Sequence, residues 1–410
     1  MAIRPAFLLA LLALPAPLRA QVTAIRAGQM IDVEAGTTLR NQVILIEKGK
    51  ITAVGAALTV PAGAQVIDLS GSTVMPGIFD MHTHLCLSVL ARRDAGNYFY
   101  TTLNDPDAMR AVEGVVNARD MLNAGFTTVR DVGNEGNYAC VSVARAITRG
   151  WIPGPTMLTA GRMIAPYGGQ FHLQPGRREL AEPEYFIADT HDEMVKAVRE
   201  NAYYGATLIK IIVDDQRYIY SADDIRFIVA EAKRAGLRVA AHSYTHEGGR
   251  NAAEAGVASI EHGIGMTDED LELAKKNGVT LVGTEFPAAF DSVEHPLYVD
   301  RLRRAYRIGV TMAFGTDASD YVPGMTRGQE ALKWIGSWKE AGVPAKVLLR
   351  AMTVNAARLA GLENERGAIR PGLAADLIAM PRNPLDDPEA LEGVTFVMKD
   401  GKLVRGRLAN

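Results

Sequence analysis

The chain has 410 residues, 48% hydrophobic and 22% charged, with a formal net charge of −3. That balance fits a soluble enzyme with a sizeable core, and the lack of a basic block argues against nucleic acid or an anionic membrane as partner. Two cysteines, Cys86 and Cys140, are too few for a disulfide scaffold; one bridge between them is open, and spacing does not decide it.

The first twenty residues, MAIRPAFLLALLALPAPLRA, combine Arg4, an apolar run from Ala6 to Leu14, helix-breaking prolines and Ala20. This pattern reads as a secretory signal peptide (residues 1–20) cut near Ala20, so the mature protein is expected in a periplasm or secreted. The run is shorter than the roughly 20 apolar residues that span a bilayer, so no membrane attachment is expected after cleavage.

From Val22 to Val74 the pattern is short and alternating. QVILIEKGKITAVG predicts two strands joined at Lys48-Gly49-Lys50, and VTFVMKDGKLVRG repeats the style with Asp400-Gly401 as the turn. Residues 21–75 and 366–410 are therefore expected to pair as one small β-sandwich built from both chain ends. Between them, residues 76–365 alternate strand and helix. Eight short apolar segments recur: VMPGIFDMHTH, FTTVRDVG, TMLTAGRMI, ATLIKIIV, RVAAHSY, SIEHG, TLVGTEF and VTMAFGTDAS. A sample helix is SADDIRFIVAEAKRAG. Ser221 and Asp224 have capping-box spacing, Ile225, Ile228, Val229 and Ala232 mark the apolar side, and Gly236 ends it. Eight such units predict an α/β fold, a (β/α)8 TIM barrel whose active face lies at the C-terminal strand ends.

Polar residues stand at those ends. His82 and His84 close the first segment, Lys210 lies in the fourth, His242 ends the fifth, His262 the sixth and Asp317 the eighth. Singly, each has an ordinary structural explanation: a hydrogen-bonded histidine, a snorkelling lysine, a turn-capping aspartate. Together they converge on one rim from five strands. Residues i and i+2 of a strand face one side, so both imidazoles of His-Xaa-His can meet one ion, and imidazole suits Zn²⁺. Lys210 buried beside metals would lose basicity and become a nucleophilic amine, able to take up carbon dioxide as a carbamate.

The set DMHTH, IKIIV, AAHSY, SIEHG and FGTDAS resembles the amidohydrolase superfamily with a binuclear metal centre. More narrowly it is similar to its metal-dependent dipeptidase branch, which includes ochratoxin-degrading amidohydrolases. The resemblance runs from IRAGQMIDVEAGT to GAIRPGLAADLIAM. It implies two divalent ions, with zinc expected. His82, His84 and Asp317 would hold one, His242 and His262 the other, and N6-carboxylated Lys210 would bridge them. Asp317 would also serve as general base, then general acid. It further implies a small amide or dipeptide substrate and a homo-oligomer, an octamer being common in the branch. Asp80, Asp131 and Glu261 are candidates to orient the metal-bound imidazoles.

One departure concerns the substrate. The branch often has Gly-Gly-His after the third strand, whereas this chain reads YGGQFHLQPG, with His172 two residues late. Tyr220, in RYIYSADDI, stands where the branch tends to place a tyrosine near the substrate carboxylate. His172, Tyr220, His246 and Arg217 are the candidate donors to that carboxylate. The expected reaction is release of a C-terminal amino acid from a dipeptide or N-acyl amino acid. Ochratoxin A, cleaved to ochratoxin alpha and phenylalanine, is the leading specific candidate. The alternatives are a mononuclear deaminase or cyclic-amidine hydrolase of the same superfamily, against which Lys210 argues, and a non-catalytic barrel.

Overall fold

The computed structural model describes residues 21–133 and 136–406. The signal-peptide reading on residues 1–20 lies outside them. Four strands open the chain: β1 (Thr23–Asp32), β2 (Thr37–Glu47), β3 (Lys50–Gly55) and β4 (Gln65–Pro76). β1 pairs antiparallel with β2 and parallel with β4. Lys48 and Gly49 both adopt positive φ (49° and 80°), the signature of the tight turn that suits the right-handed twist of a hairpin.

The barrel follows: β5 (Ile78–Thr83), β6 (Phe126–Asp131), β7 (Thr156–Thr159), β8 (Met163–Ala165), β9 (Tyr185–Ile187), β10 (Ile209–Ile212), β11 (Val239–Ser243), β12 (Ser259–His262) and β13 (Thr280–Val282). These form two parallel runs, β5-β6-β7 and β9-β8-β10-β11-β12-β13. Two details differ from the expected eight even strands. The third segment is split into β7 and β8 around Gly161, whose φ is 68°. The eighth segment is reduced to a bridge between Leu281 and Met312. Single backbone bonds complete the ring: Thr207 N to Thr159 O (2.8 Å), Ala313 N to Leu281 O (3.0 Å) and Met81 N to Phe314 O (2.8 Å). The Ala222–Arg234 helix has the expected Ser221–Asp224 capping box, with Ile225, Ile228 and Ala232 buried.

The chain ends with β14 (Leu377–Met380), β15 (Phe396–Lys399) and β16 (Lys402–Arg405). β14 pairs antiparallel with β4, Leu377 opposite Pro76. The two ends thus share one mixed sheet in the order β16-β15-β14-β4-β1-β2-β3. Alternation places Ile25, Ile44, Ile67, Leu377 and Phe396 in its buried cluster. The two hairpin turns meet glycine to glycine. Ala375 N donates to Gly49 O (2.9 Å) and Gly401 N to Ala375 O (3.0 Å). A Cβ on Gly401 would fall 2.7 Å from Gly49 Cα, so neither position accepts a side chain without displacement.

Cys86 and Cys140 form a disulfide. It ties the loop after β5 to the Ala139–Thr148 helix, which follows β6.

Candidate metal centre

The strand ends bring His82, His84, Lys210, His242, His262 and Asp317 onto one cavity of about 180 Å³. Their rings form a chain, with centroids 5.3 Å apart for His82–His84, 4.9 Å for His82–His262 and 4.6 Å for His242–His262. His82, His84, Lys210, His242 and His262 are buried.

Three of the imidazoles, those of His82, His84 and His262, are oriented from behind. His84 Nδ1 lies 2.7 Å from the Gly133 carbonyl, which can only accept, so Nδ1 carries the proton and Nε2 the lone pair. His82 Nδ1 meets the Glu261 carboxylate at 2.8 Å, with the same consequence. His262 Nδ1 meets Thr284 Oγ1 at 2.7 Å. Glu261 is itself fixed by Arg130, whose Nη2 donates to it at 2.7 Å while Nε donates to Met81 O at 2.6 Å. Asp80 and Asp131 do not meet an imidazole in this way: Asp80 accepts from His82 N, Thr316 N and Thr316 Oγ1, and Asp131 from Leu85 N.

The forward nitrogens turn toward the Asp317 carboxylate. His84 Nε2 is 3.1 Å and His82 Nε2 3.7 Å from Asp317 Oδ1. His82 Nε2 is buried without a hydrogen-bond partner. A lone pair opposing a carboxylate among buried side chains calls for a cation between them, so the donors fit a divalent ion. His82, His84 and Asp317 lie close enough together to hold one, and Asp214, Asp215 and His242 form a second such group.

The charges agree. Burial, then the nearby Lys210 charge, pushes His82 down to about 4. Burial, then His242, holds His262 well below the usual histidine range. Burial opposes a charge on His84 too, but its bond to Asp317 outweighs that and raises it. Burial lowers Lys210 to about 8, despite the Glu261 and Asp317 carboxylates. His262 and Asp317 at the cavity and Thr284 behind His262 hold positive φ (64°, 61° and 51°), as does Asp215 (88°). Such strain persists only where the surroundings over-determine it.

None of the four candidate substrate donors lines this cavity among the described residues. Tyr220 is buried in the core and donates its hydroxyl to Ala188 O at 2.6 Å. His246 starts a helix and pairs with Asp270. Arg217 is exposed. His172 is exposed and lines a neighbouring cavity of about 570 Å³ with Arg178 and Gln216. The residue directly after Gly168-Gly169 is Gln170, and this one does line the metal cavity, as do Tyr98 and Tyr244. Asp215, Arg130, Gln170 and Tyr244 are absent from the sequence-based list. The position of Gln170 after the paired glycines was the available signal for it; the other three sit in no recognisable spacing.

Residues 73–404 match the pattern of the Amidohydrolase family. The ochratoxinase of Aspergillus niger is 29% identical over an alignment 442 positions long, covering 94% of this chain and 87% of that one. A solved Xaa-Pro dipeptidase with methionine bound in its active site is 30% identical, with a TM-score of 0.84 over 94% of this chain and 100% of its own. A prolidase complexed with N-methylphosphonate-L-proline is 27% identical, with a TM-score of 0.81 over 94% and 100%.

Proposed function

The chain belongs to the amidohydrolase family, and from that premise we propose that it hydrolyses an amide bond to release a C-terminal amino acid, using two divalent ions. The observation that carries this reading is the pair of imidazoles that, each fixed from behind through Nδ1, turn Nε2 toward Asp317, His82 Nε2 having no hydrogen-bond partner. His82, His84 and Asp317 would hold one ion, and His242 and His262 the other. The imidazole-rich set favours zinc. Lys210, lowered to about 8, has a neutral amine available to add carbon dioxide. With an N–C bond formed and a proton lost, Lys210 would become an anionic carbamate, a group suited to holding divalent ions beside the histidines.

When bound, such ions polarise a carbonyl and bring water from a pKa of about 15.7 to about 7. Asp317 takes the proton from the attacking water and delivers it to the leaving nitrogen as the C–N bond breaks. His82 and His262, neutral by burial, keep their lone pairs for ligation. Tyr98, Tyr244 and Ser319 line the wall against which the substrate would be oriented.

The relatives' names support a dipeptide or an N-acyl amino acid as substrate, and ochratoxin A as the specific candidate. The leader-like residues 1–20 and the Cys86–Cys140 bond support export to an oxidising compartment. N-terminal sequencing of the mature protein tests that, and light scattering tests the homo-oligomer. The function is tested by mass spectrometry of amino acids released from dipeptides, N-acyl amino acids and ochratoxin A, with and without chelator. Chelator-sensitive phenylalanine from ochratoxin A is the expected result. Cleavage of small peptides alone would remove the toxin from the reading, and no release at all would remove amide hydrolysis.

A further inference from the structure

We propose that Asp215 is a ligand of the second ion, adding a carboxylate to His242 and His262; this rests on the two-ion reading above. Asp215 Oδ2 lies 2.8 Å from His242 Nε2. Yet that nitrogen, on a side chain 3% exposed, has no hydrogen-bond partner. The two atoms are near each other but not aimed at each other. Two donors of one ion stand in this relation, each directed at a shared point.

The neighbouring Asp214 is the obvious rival and is excluded by its bonds. It accepts from Ser243 Oγ (2.8 Å), Tyr244 N (3.0 Å), Thr245 N (2.8 Å) and Thr245 Oγ1 (2.7 Å), which fix the start of the helix after β11. Its nearest oxygen is 3.9 Å from His242 Nε2. Asp215 instead is supported as a metal-bound carboxylate is. Gln170 Nε2 donates to Oδ2 at 2.7 Å, and Tyr185 donates its hydroxyl to Gln170 Oε1 at 2.8 Å. Its φ of 88° turns the backbone out of β10's extended path immediately after Asp214. The arrangement also gives Gln170 a task of its own: it aims Asp215.

The test is metal binding, read without substrate. Wild type, Asp215→Asn and Gln170→Leu are loaded with Zn²⁺, and metal per chain is measured by plasma mass spectrometry during titration with a competing chelator. Asparagine is isosteric and tolerates the left-handed backbone, and thermal unfolding of the metal-free proteins reports that the fold is kept. The expected result is two ions in wild type, with the second held at least about tenfold more weakly in Asp215→Asn. A smaller weakening is expected in Gln170→Leu, which keeps the carboxylate. Two ions held as tightly in Asp215→Asn as in wild type would overturn the role of Asp215 and leave the two-ion reading standing. Fewer than two ions in wild type would overturn both. Should Asp215→Asn not fold, unchanged second-ion affinity in a folded Gln170→Leu would overturn the proposal.

Discussion

Asp317 stands where two demands meet, since its carboxylate faces His84 and His82 while its backbone is held in a left-handed turn by Asp317 N donating to His82 O at 2.8 Å. Asp317→Asn keeps the turn, because asparagine adopts positive φ readily. It removes proton acceptance, so kcat should fall by about 10²- to 10⁴-fold; steady-state kinetics on the best amide substrate, with metal content measured beside it, checks this. Glu261→Gln acts from behind. It leaves the buried Arg130 guanidinium without its counter-charge and His82 Nδ1 without a carboxylate. The expected cost is about 3–5 kcal/mol of stability and about 10- to 100-fold in metal affinity, read by urea unfolding and by chelator competition. The convergence of His82, His84, Lys210, His242, His262 and Asp317 on one cavity was legible in the sequence because residues i and i+2 of a strand share a side and the others stand on neighbouring barrel segments. Arg130 was not, because a single arginine in an apolar run gives no sign that it will cross the barrel interior to Glu261. Asp215 was hidden beside Asp214: two adjacent acids look alike until their bonds are known. Tyr220 failed as a substrate donor because a carbonyl within hydrogen-bond reach already takes its hydroxyl.

At the scale of elements, the first two barrel units are clamped together. The Cys86–Cys140 bond joins the loop beyond His84 to the helix beyond Gly133, whose carbonyl orients His84. Cys86→Ser with Cys140→Ser should cost about 2–5 kcal/mol by freeing the unfolded chain. It should also weaken metal retention, because the Gly133 carbonyl then moves independently of His84. Thermal unfolding with and without zinc separates the two effects: an equal loss in both conditions would place the bond outside the site. The alternating apolar segments made the barrel legible at this scale. The split of the third strand and the near-loss of the eighth were not, because each is decided by a few backbone bonds between distant segments. Gly161 marks the first of these breaks, but a single glycine between two apolar pairs reads equally well as part of one strand.

Across the whole molecule, ion binding and sheet closure should both appear as stability. Removing metal with a chelator should lower Tm, since ligands that bind the folded state alone stabilise it by mass action; calorimetry with zinc added back checks the direction and its reversal. Deleting residues 374–410 strips β14 from β4 and uncovers Leu377's partners along a central strand. The truncated chain should be insoluble or unfolded by circular dichroism, and a stable, zinc-binding barrel would show that the sheet is dispensable. The pairing of residue 76 with residue 377 also sets the order of assembly. β4 is made early and its neighbour almost last, so a nascent chain carries an open, apolar strand edge through most of its synthesis. Closing that loop is a non-local event that local helix formation cannot hasten. A chain held unfolded until its carboxyl end is complete, as one threaded across a membrane would be, avoids presenting that edge to its neighbours.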